Sequence, residues 1–490
     1  MDKGTGSVSY RESLTRAGGL FASVMQETGP IPLQIRGKIP GWLKGEFLRN
    51  GPARFCAGTS LMNHWFDGYA LLHRFRIHDG GEVSYRNRFL ESEDFCRDQA
   101  AGRVMGQQWG TLPGPRDSVL TKFFSTFRQT TPDNTNVNIL RAGTRMFALS
   151  DFSTMVEFDP ETLATKGKLG FADRFGPKFM LSAAHPSIDP ETGEIFNVIE
   201  PPGRRGKVYV YRLQNGSPKR EVLCSINIPR PVYFHSLALT RNYVIVIEQP
   251  LQLDVLGLIF ARLYNRPFAE NLHWEPGTGN RYHICDRRTG QVQTITGPAF
   301  FFFHTVNAFQ PDDQTIVIDL CRFDDFSINR SFYLDSLGKQ GLDARETSRL
   351  TRVTLDLARR TAGERRLTEC PLDLPRFNMR YSFCEYRYVY GAGLLHEKQN
   401  PFVNQLVKAD LTTGNADTWS REGCYPSEPM FVERPGAAAE DDGVVLSMVS
   451  EPGAGLTRLL VLDAGNLEEI AEAEIPAYIP PGLHGQFYSA

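Results

Sequence analysis

Four of the ten histidines in this 490-residue sequence share a setting that suits metal ligation. His185 (LSAAHPSID), His235 (VYFHSLAL), His304 (FFFHTVNAF) and His484 (PGLHGQF) each lie in an apolar or tight-turn stretch, in four separate parts of the chain. The other six, His64, His73, His78, His273, His283 and His396, have mixed polar or aromatic surroundings. A single histidine on an apolar strand is most often a satisfied core residue. Four brought to one point would offer neutral imidazole nitrogens to Fe, Zn, Cu or Ni. Such a set brings no negative charge of its own, but carboxylates behind the rings could supply it by accepting the free ring N–H. The chain has no phosphate-binding GxxxxGK, no HExxH, no GxSxG and no dinucleotide fingerprint. No general acid–base pair stands out either.

The elements that must position these residues read as β-hairpins. An apolar strand ending in Asp, then a turn and a second strand, recurs at VEFDPETLATKG (Asp159), SIDPETGEIFNVI (Asp189), HICDRRTGQVQTI (Asp286), VKADLTTGNADTW (Asp410) and LVLDAGNLEEIAEAEI (Asp463). Asp can bond its own backbone amides at a turn, and a following Gly or polar residue supplies the unusual φ. Many hairpins at irregular intervals over so long a chain predict one large all-β propeller with decorated blades. Two stacked β-sandwiches are the alternative on pattern alone. Radial symmetry in a propeller would carry inner strands of different blades to one axis, and with them the four histidines. No Pro/Ser-rich linker or charge run divides the sequence, so residues 30–490 read as a single domain behind an N-terminal extension, 1–29.

Composition excludes several classes. Hydrophobic residues at 41% and charged residues at 22% describe an ordinary globular chain. A formal charge of −2 gives no nucleic-acid footprint. Eight scattered cysteines without a C-x-x-C pair favour a reduced, cytoplasmic protein. The N-terminus makes a poor signal peptide. The uncharged stretch 289–311 is interrupted by Gly297-Pro298, His304 and Asn307, which argues against a membrane span. Two stretches, 118–127 (SVLTKFFSTF) and 251–264 (LQLDVLGLIFARLY), carry apolar residues at helical or mixed spacing, including Phe124, Val255, Leu258 and Ile259. They read either as amphipathic pieces packed on the β core or as a peripheral membrane patch that admits an oily substrate.

Several segments together resemble the carotenoid cleavage oxygenase family. They are LKGEFLRNGPARF (43–55), NHWFDGYALLHRFRI (63–77), DNTNVNI (133–139), TRNYVIVIEQPL (240–251), YPSEPMFV (425–432) and EDDGVVLSMV (440–449). The likeness is nearest to the animal-type branch of β-carotene oxygenases and the retinal-pigment-epithelium isomerase, and runs from about residue 30 to the C-terminus. It implies a seven-bladed β-propeller capped by a helical and loop dome, with Fe(II) on the axis held by four His. Those ligands match His185, His235, His304 and His484.

The resemblance also implies three carboxylates behind three of the rings. Glu428 in YPSEP matches one, behind His484; the other two positions align with Asp151, near His235, and Asp373, near His304. Both Asp are one methylene shorter than the Glu of the family, a retraction of about 1.5 Å. Either the backbone moves inward or a water bridges; Glu157 and Glu369 are the stand-ins if the alignment shifts locally. Thr135 of Asn134-Thr135-Asn136 matches a threonine that crowds an open iron position in alkene-cleaving relatives and that the isomerase lacks.

The implied activity is therefore O2-dependent cleavage of one C=C bond of a carotenoid or apocarotenoid into aldehyde or ketone products. Retinoid isomerohydrolysis, stilbenoid cleavage and a non-catalytic apolar-ligand-binding propeller are the alternatives. Trp65, Phe66, Phe301, Phe302, Phe303 and Phe323 are candidates for an apolar substrate tunnel, with ordinary core packing the competing account. Asp67 of the Phe66-Asp67-Gly68 signature reads as a turn residue rather than a catalyst.

Overall fold

Each of the five Asp turns closes a hairpin in the same way. Asp159 Oδ1 accepts the backbone N–H groups of Glu161 and Thr162, and Asp189 and Asp286 repeat the arrangement two and three residues on. Asp410 and Asp463 accept from Thr412 and Gly465. The side chain thus satisfies amides that the turn would leave unpaired. The computed structural model describes residues 19–112, 131–175, 179–214, 216–261, 266–343, 346–395 and 400–490.

These hairpins belong to seven antiparallel sheets of four to six strands, joined by two small two-stranded ribbons. Counting blades along the chain, blade one closes the ring: its strand Gly45–Arg54 pairs with the C-terminal strand Gly485–Ser489. Near the N-terminus, Gln34–Gly37 pairs instead with Glu469–Ile475 of blade seven. Both ends of the chain are thereby locked into neighbouring blades.

Seven apolar clusters fill the seven interfaces between adjacent blades, which fixes the blade number. Leu48, Leu72, Ile139 and Met146 join blades one and two; Ile245, Ile284, Ile318 and Val353 join blades four and five. Central strands such as Ile195–Glu200 and Tyr243–Glu248 are packed on both faces, so their side chains are buried without alternation, the polar Asn197, Glu200 and Glu248 included. Edge strands such as Glu221–Ile228 keep the alternation of a half-exposed sheet. An eighth, larger cluster, rich in Phe and Trp, lies in the cap over the axis.

The N-terminal extension does not stand apart where it is described. Leu20 and Phe21 are buried in the cap cluster, and Phe21 meets Phe55 and Phe402 edge-on at 6.0 and 5.3 Å. Segment 251–264 is also more divided than its spacing predicts. Leu251–Leu253 is a strand paired with Leu272–Trp274, and Val255–Ile259 is a short helix capped by Asp254 on the Gly257 N–H, while 262–264 lie outside the described residues. Segment 118–127 lies outside the described residues.

Candidate metal centre

All four singled-out histidines sit on the innermost strands or their entries. His185 lies between Leu181–Ser182 and Ser187–Ile188 of blade three, His235 just before Ala238–Leu239 of blade four, His304 on Phe301–Asp312 of blade five, and His484 just before Gly485–Ser489 of blade one. One nitrogen from each ring falls within 4.8 Å of the corresponding nitrogen of the other three. His304 Nε2 and His484 Nε2 are 3.2 Å apart. Two nitrogens at about 2.0–2.1 Å from one ion, roughly at right angles, would be about 3 Å apart.

Three of the rings are held from behind by carboxylates. Asp151 Oδ1 is 2.9 Å from His235 Nδ1, Asp373 Oδ1 is 2.6 Å from His304 Nδ1, and Glu428 Oε1 is 2.8 Å from His484 Nδ1. A carboxylate at Nδ1 keeps the proton there and leaves the Nε2 lone pair for a metal. The two shorter Asp reach their partners directly. Glu157 instead pairs with Arg145, and Glu369 with Arg366 on the surface.

Blade six shows how the shorter side chain reaches. The pairing shifts between Asp373 and Arg376, and Leu374 within that bulge has φ 52°. A non-glycine residue in the left-handed region is uncommon and marks an imposed backbone. Asp373 Oδ1 also accepts the Leu374 N–H at 2.8 Å.

His185 differs from the other three. Its Nδ1 lies 3.3 Å from the Asn138 amide nitrogen, with no carboxylate, and its Nε2 is buried without a hydrogen-bond partner. Burial, reinforced by the neighbouring rings and Arg376, holds the pKa of His185 and His484 well below the usual imidazole value. Neutral rings, an orphaned nitrogen and three Nδ1 acceptors fit a divalent ion at this point.

Sequence reading did not find the groups that brace the carboxylates. Tyr233 donates its hydroxyl to Asp151 Oδ2 at 2.8 Å and lies 2.9 Å from His235 Nδ1. Two residues before His235 on an extended segment, it shares that face, and this spacing was the available signal. Arg376 Nε donates to Glu428 at 2.9 Å, and Arg49 bonds the carbonyls of Glu428 and Leu483. Nothing local marked either arginine, because their partners are far away in the chain.

Beside the histidines lies an apolar cavity of about 680 Å³, within the usual range for ligand sites. Trp65, Phe66, Phe303 and Phe323 line it, together with Trp109, Phe152, Phe268 and Phe332. Phe301 packs in the cap cluster behind Phe303.

Phe302 corrects its expected place. It packs among Ile245, Ile318 and Leu320 in the core between blades four and five, and lines no part of the cavity. A register shift between Phe302 and Thr305 puts two consecutive residues, Phe303 and His304, on the cavity side. Strict alternation would have split them.

The Asn-Thr-Asn segment clamps the Phe66–Gly68 turn. Asn134 Nδ2 donates to the carbonyls of Asp67 and Gly68, and Asn136 Nδ2 to those of Phe66 and Gly68. Thr135 is fully buried and its hydroxyl has no hydrogen-bond partner. Asp67 accepts from Gly110, Thr111 and His64, so it serves the turn. Burial raises its pKa to about 6.

Comparison with known proteins agrees with this geometry. The family model described as "Retinal pigment epithelial membrane protein" matches residues 21–489. The chain is 32% identical to the mitochondrial carotenoid-cleaving dioxygenase of Mustela putorius furo, covering 99% of each chain. It is 34% identical to the β,β-carotene 15,15′-dioxygenase of Homo sapiens, over 94% of this chain and 93% of that one. A Synechocystis apocarotenoid oxygenase variant has the same fold, with a TM-score of 0.84 at 24% identity, covering 98% of this chain and 99% of that one. This chain belongs to the carotenoid cleavage oxygenase family, in its animal-type branch.

Proposed function

We propose that the protein is an iron(II)-dependent dioxygenase that cleaves one C=C bond of a carotenoid or apocarotenoid with O2. The observation that carries this reading is the meeting of four imidazole nitrogens, one orphaned and three backed by carboxylates, beside an aromatic cavity. The relatives' names as carotenoid dioxygenases support the substrate class.

A ferrous ion held by His185, His235, His304 and His484 would supply the redox and Lewis-acid chemistry that lets O2 react with an alkene. The chain's own task is positioning. Phe303, whose ring centroid is 5.1 Å from that of His235, and Phe66 form the wall against which a flat polyene is held. Orientation of this kind supplies much of the rate of a reaction between two bound partners. Asp151, Asp373 and Glu428 keep a proton on each Nδ1 throughout. Thr135, buried and with no hydrogen-bond partner for its hydroxyl among the described residues, would by family likeness have a steric role near the metal site. The equation balances without a reductant: R–CH=CH–R′ + O2 gives R–CHO and R′–CHO.

Substrate enters from a membrane surface on this reading. Leu256 is 69% exposed on the short helix Val255–Ile259, whose Leu258 and Ile259 line the cavity. Among the described residues no helix is long and apolar enough to cross a bilayer, so the contact is peripheral.

Protein loaded with Fe(II), supplied with a panel of polyenes in air and analysed by mass spectrometry, tests the reaction. The expected products are pairs of carbonyl compounds whose masses sum to substrate plus O2, both oxygens labelled from 18O2. Intact polyenes, or retinol isomers formed from a retinyl ester without aldehydes, would overturn the reading.

A further inference from the structure

The aromatic cavity has one polar wall. Asp94, Arg97, Arg103, Gln107 and Gln108 all border it. Most of these have work within the protein. Arg97 pairs with Asp94 at 2.7 Å and Asp98 at 2.9 Å, and the Gln107 amide donates to the Arg266 carbonyl.

Gln108 is the exception. It is only 7% exposed, it lines the cavity, and its buried Nε2 has no hydrogen-bond partner among the described residues. Its backbone is fixed on both sides, N–H to the Thr111 carbonyl and C=O from the Phe268 N–H. The adjacent Trp109 packs on Phe66, Tyr233 and Phe268, which ties this wall to the metal centre. Space beside the amide is kept open by Gly106, where a Cβ would lie 3.0 Å from Arg97 Nη2 and 3.8 Å from Gln108 Nε2. Leaving a buried amide unpaired is costly, and a ligand group that pairs with it recovers that cost.

We infer that Gln108 is a specificity-determining residue that hydrogen-bonds a neutral oxygen-bearing group, hydroxyl or carbonyl, on the polyene. This rests on the polyene-cleaving reading of the same cavity and narrows its substrate to oxygenated polyenes over pure hydrocarbons. An amide both donates and accepts, so it serves an alcohol or an aldehyde. A carboxylate is disfavoured. The nearby Arg97 is already neutralised by Asp94 and Asp98, and an unpaired anion in an apolar cavity is expensive. A site built to pair with a polar group discriminates strongly against the analogue that lacks it.

The test uses the iron-loaded protein without O2, so that binding is read separately from cleavage. Quenching of tryptophan fluorescence, with Trp65 and Trp109 in the cavity wall, reports Kd for an apocarotenal, its alcohol, its acid and the hydrocarbon of equal chain length. Gln108→Leu weakens binding of the alcohol or aldehyde about tenfold and leaves the hydrocarbon unchanged or tighter. Its thermal midpoint does not fall, because Nε2 has no hydrogen-bond partner among the described residues to lose. Three outcomes overturn the inference: equal effects on all four ligands, a wild-type protein with no preference for oxygen, or tightest binding of the acid. The wild-type comparison stands even if the variant fails to fold. A protein that binds as described but leaves every polyene intact in air would retain the inference about Gln108 and lose the dioxygenase reading.

Discussion

Asp373 lies closer to its histidine, 2.6 Å from His304 Nδ1, than the longer Glu428 does to His484 at 2.8 Å. The shorter carboxylate reaches the ring directly from a bulge at 373–376, in which Leu374 has φ 52°. Asp373→Asn removes the charge while keeping the shape and lowers metal affinity about 10–100-fold. Asp373→Glu keeps the charge but overfills the gap and falls between. Iron retained after dialysis against a graded chelator series checks both.

The turn before His484 depends on a glycine in another strand. A Cβ on Gly51 would stand 2.6 Å from Gly482 Cα and 2.9 Å from Leu483 N. Leu483 N–H bonds the Asn50 carbonyl, and Asn50 N–H bonds that of His484, so the turn cannot retreat freely. Gly51→Ala therefore costs about 1–3 kcal/mol of stability and displaces His484. Urea unfolding and metal content per chain should fall together; loss of neither would contradict the coupling.

His73 gives an acid sensitivity separate from the metal. Burial, with Arg49 adding to it, lowers its pKa from 6.5 to about 3. The unfolded chain takes a proton that the folded chain refuses, so this contribution is complete above pH 6.5. It shrinks as pH falls and is gone near pH 3. His73→Gln removes the dependence and can still meet the Tyr85 hydroxyl, which His73 Nδ1 contacts at 2.9 Å. Urea midpoints between pH 6.5 and 4 should fall less steeply in the variant than in the parent.

The proposed peripheral membrane contact rests, among the described residues, on the exposed Leu256. Leu256→Asp should reduce co-sedimentation with liposomes severalfold while changing stability by less than about 0.5 kcal/mol. Unchanged sedimentation would remove this helix from the contact.

The sequence by itself carried the hairpins and their Asp turns, because each is closed by hydrogen bonds spanning a few residues. It also carried the four histidines, and, through family likeness, the carboxylates at 151, 373 and 428. Of the six aromatic candidates Trp65, Phe66, Phe303 and Phe323 border the cavity, whereas Phe301 and Phe302 do not, and the register shift between Phe302 and Thr305 could not be read from the sequence. The direct reach of Asp373 to His304, the sharing of Asp151 between Tyr233 and His235, and the clamps of Arg49 and Arg376 were decided only in the tertiary structure. Their partners lie on other blades or come together only where the strands meet at the axis. Short-range patterns determine which strands form; the geometry at the axis depends on how seven separate sheets pack against one another.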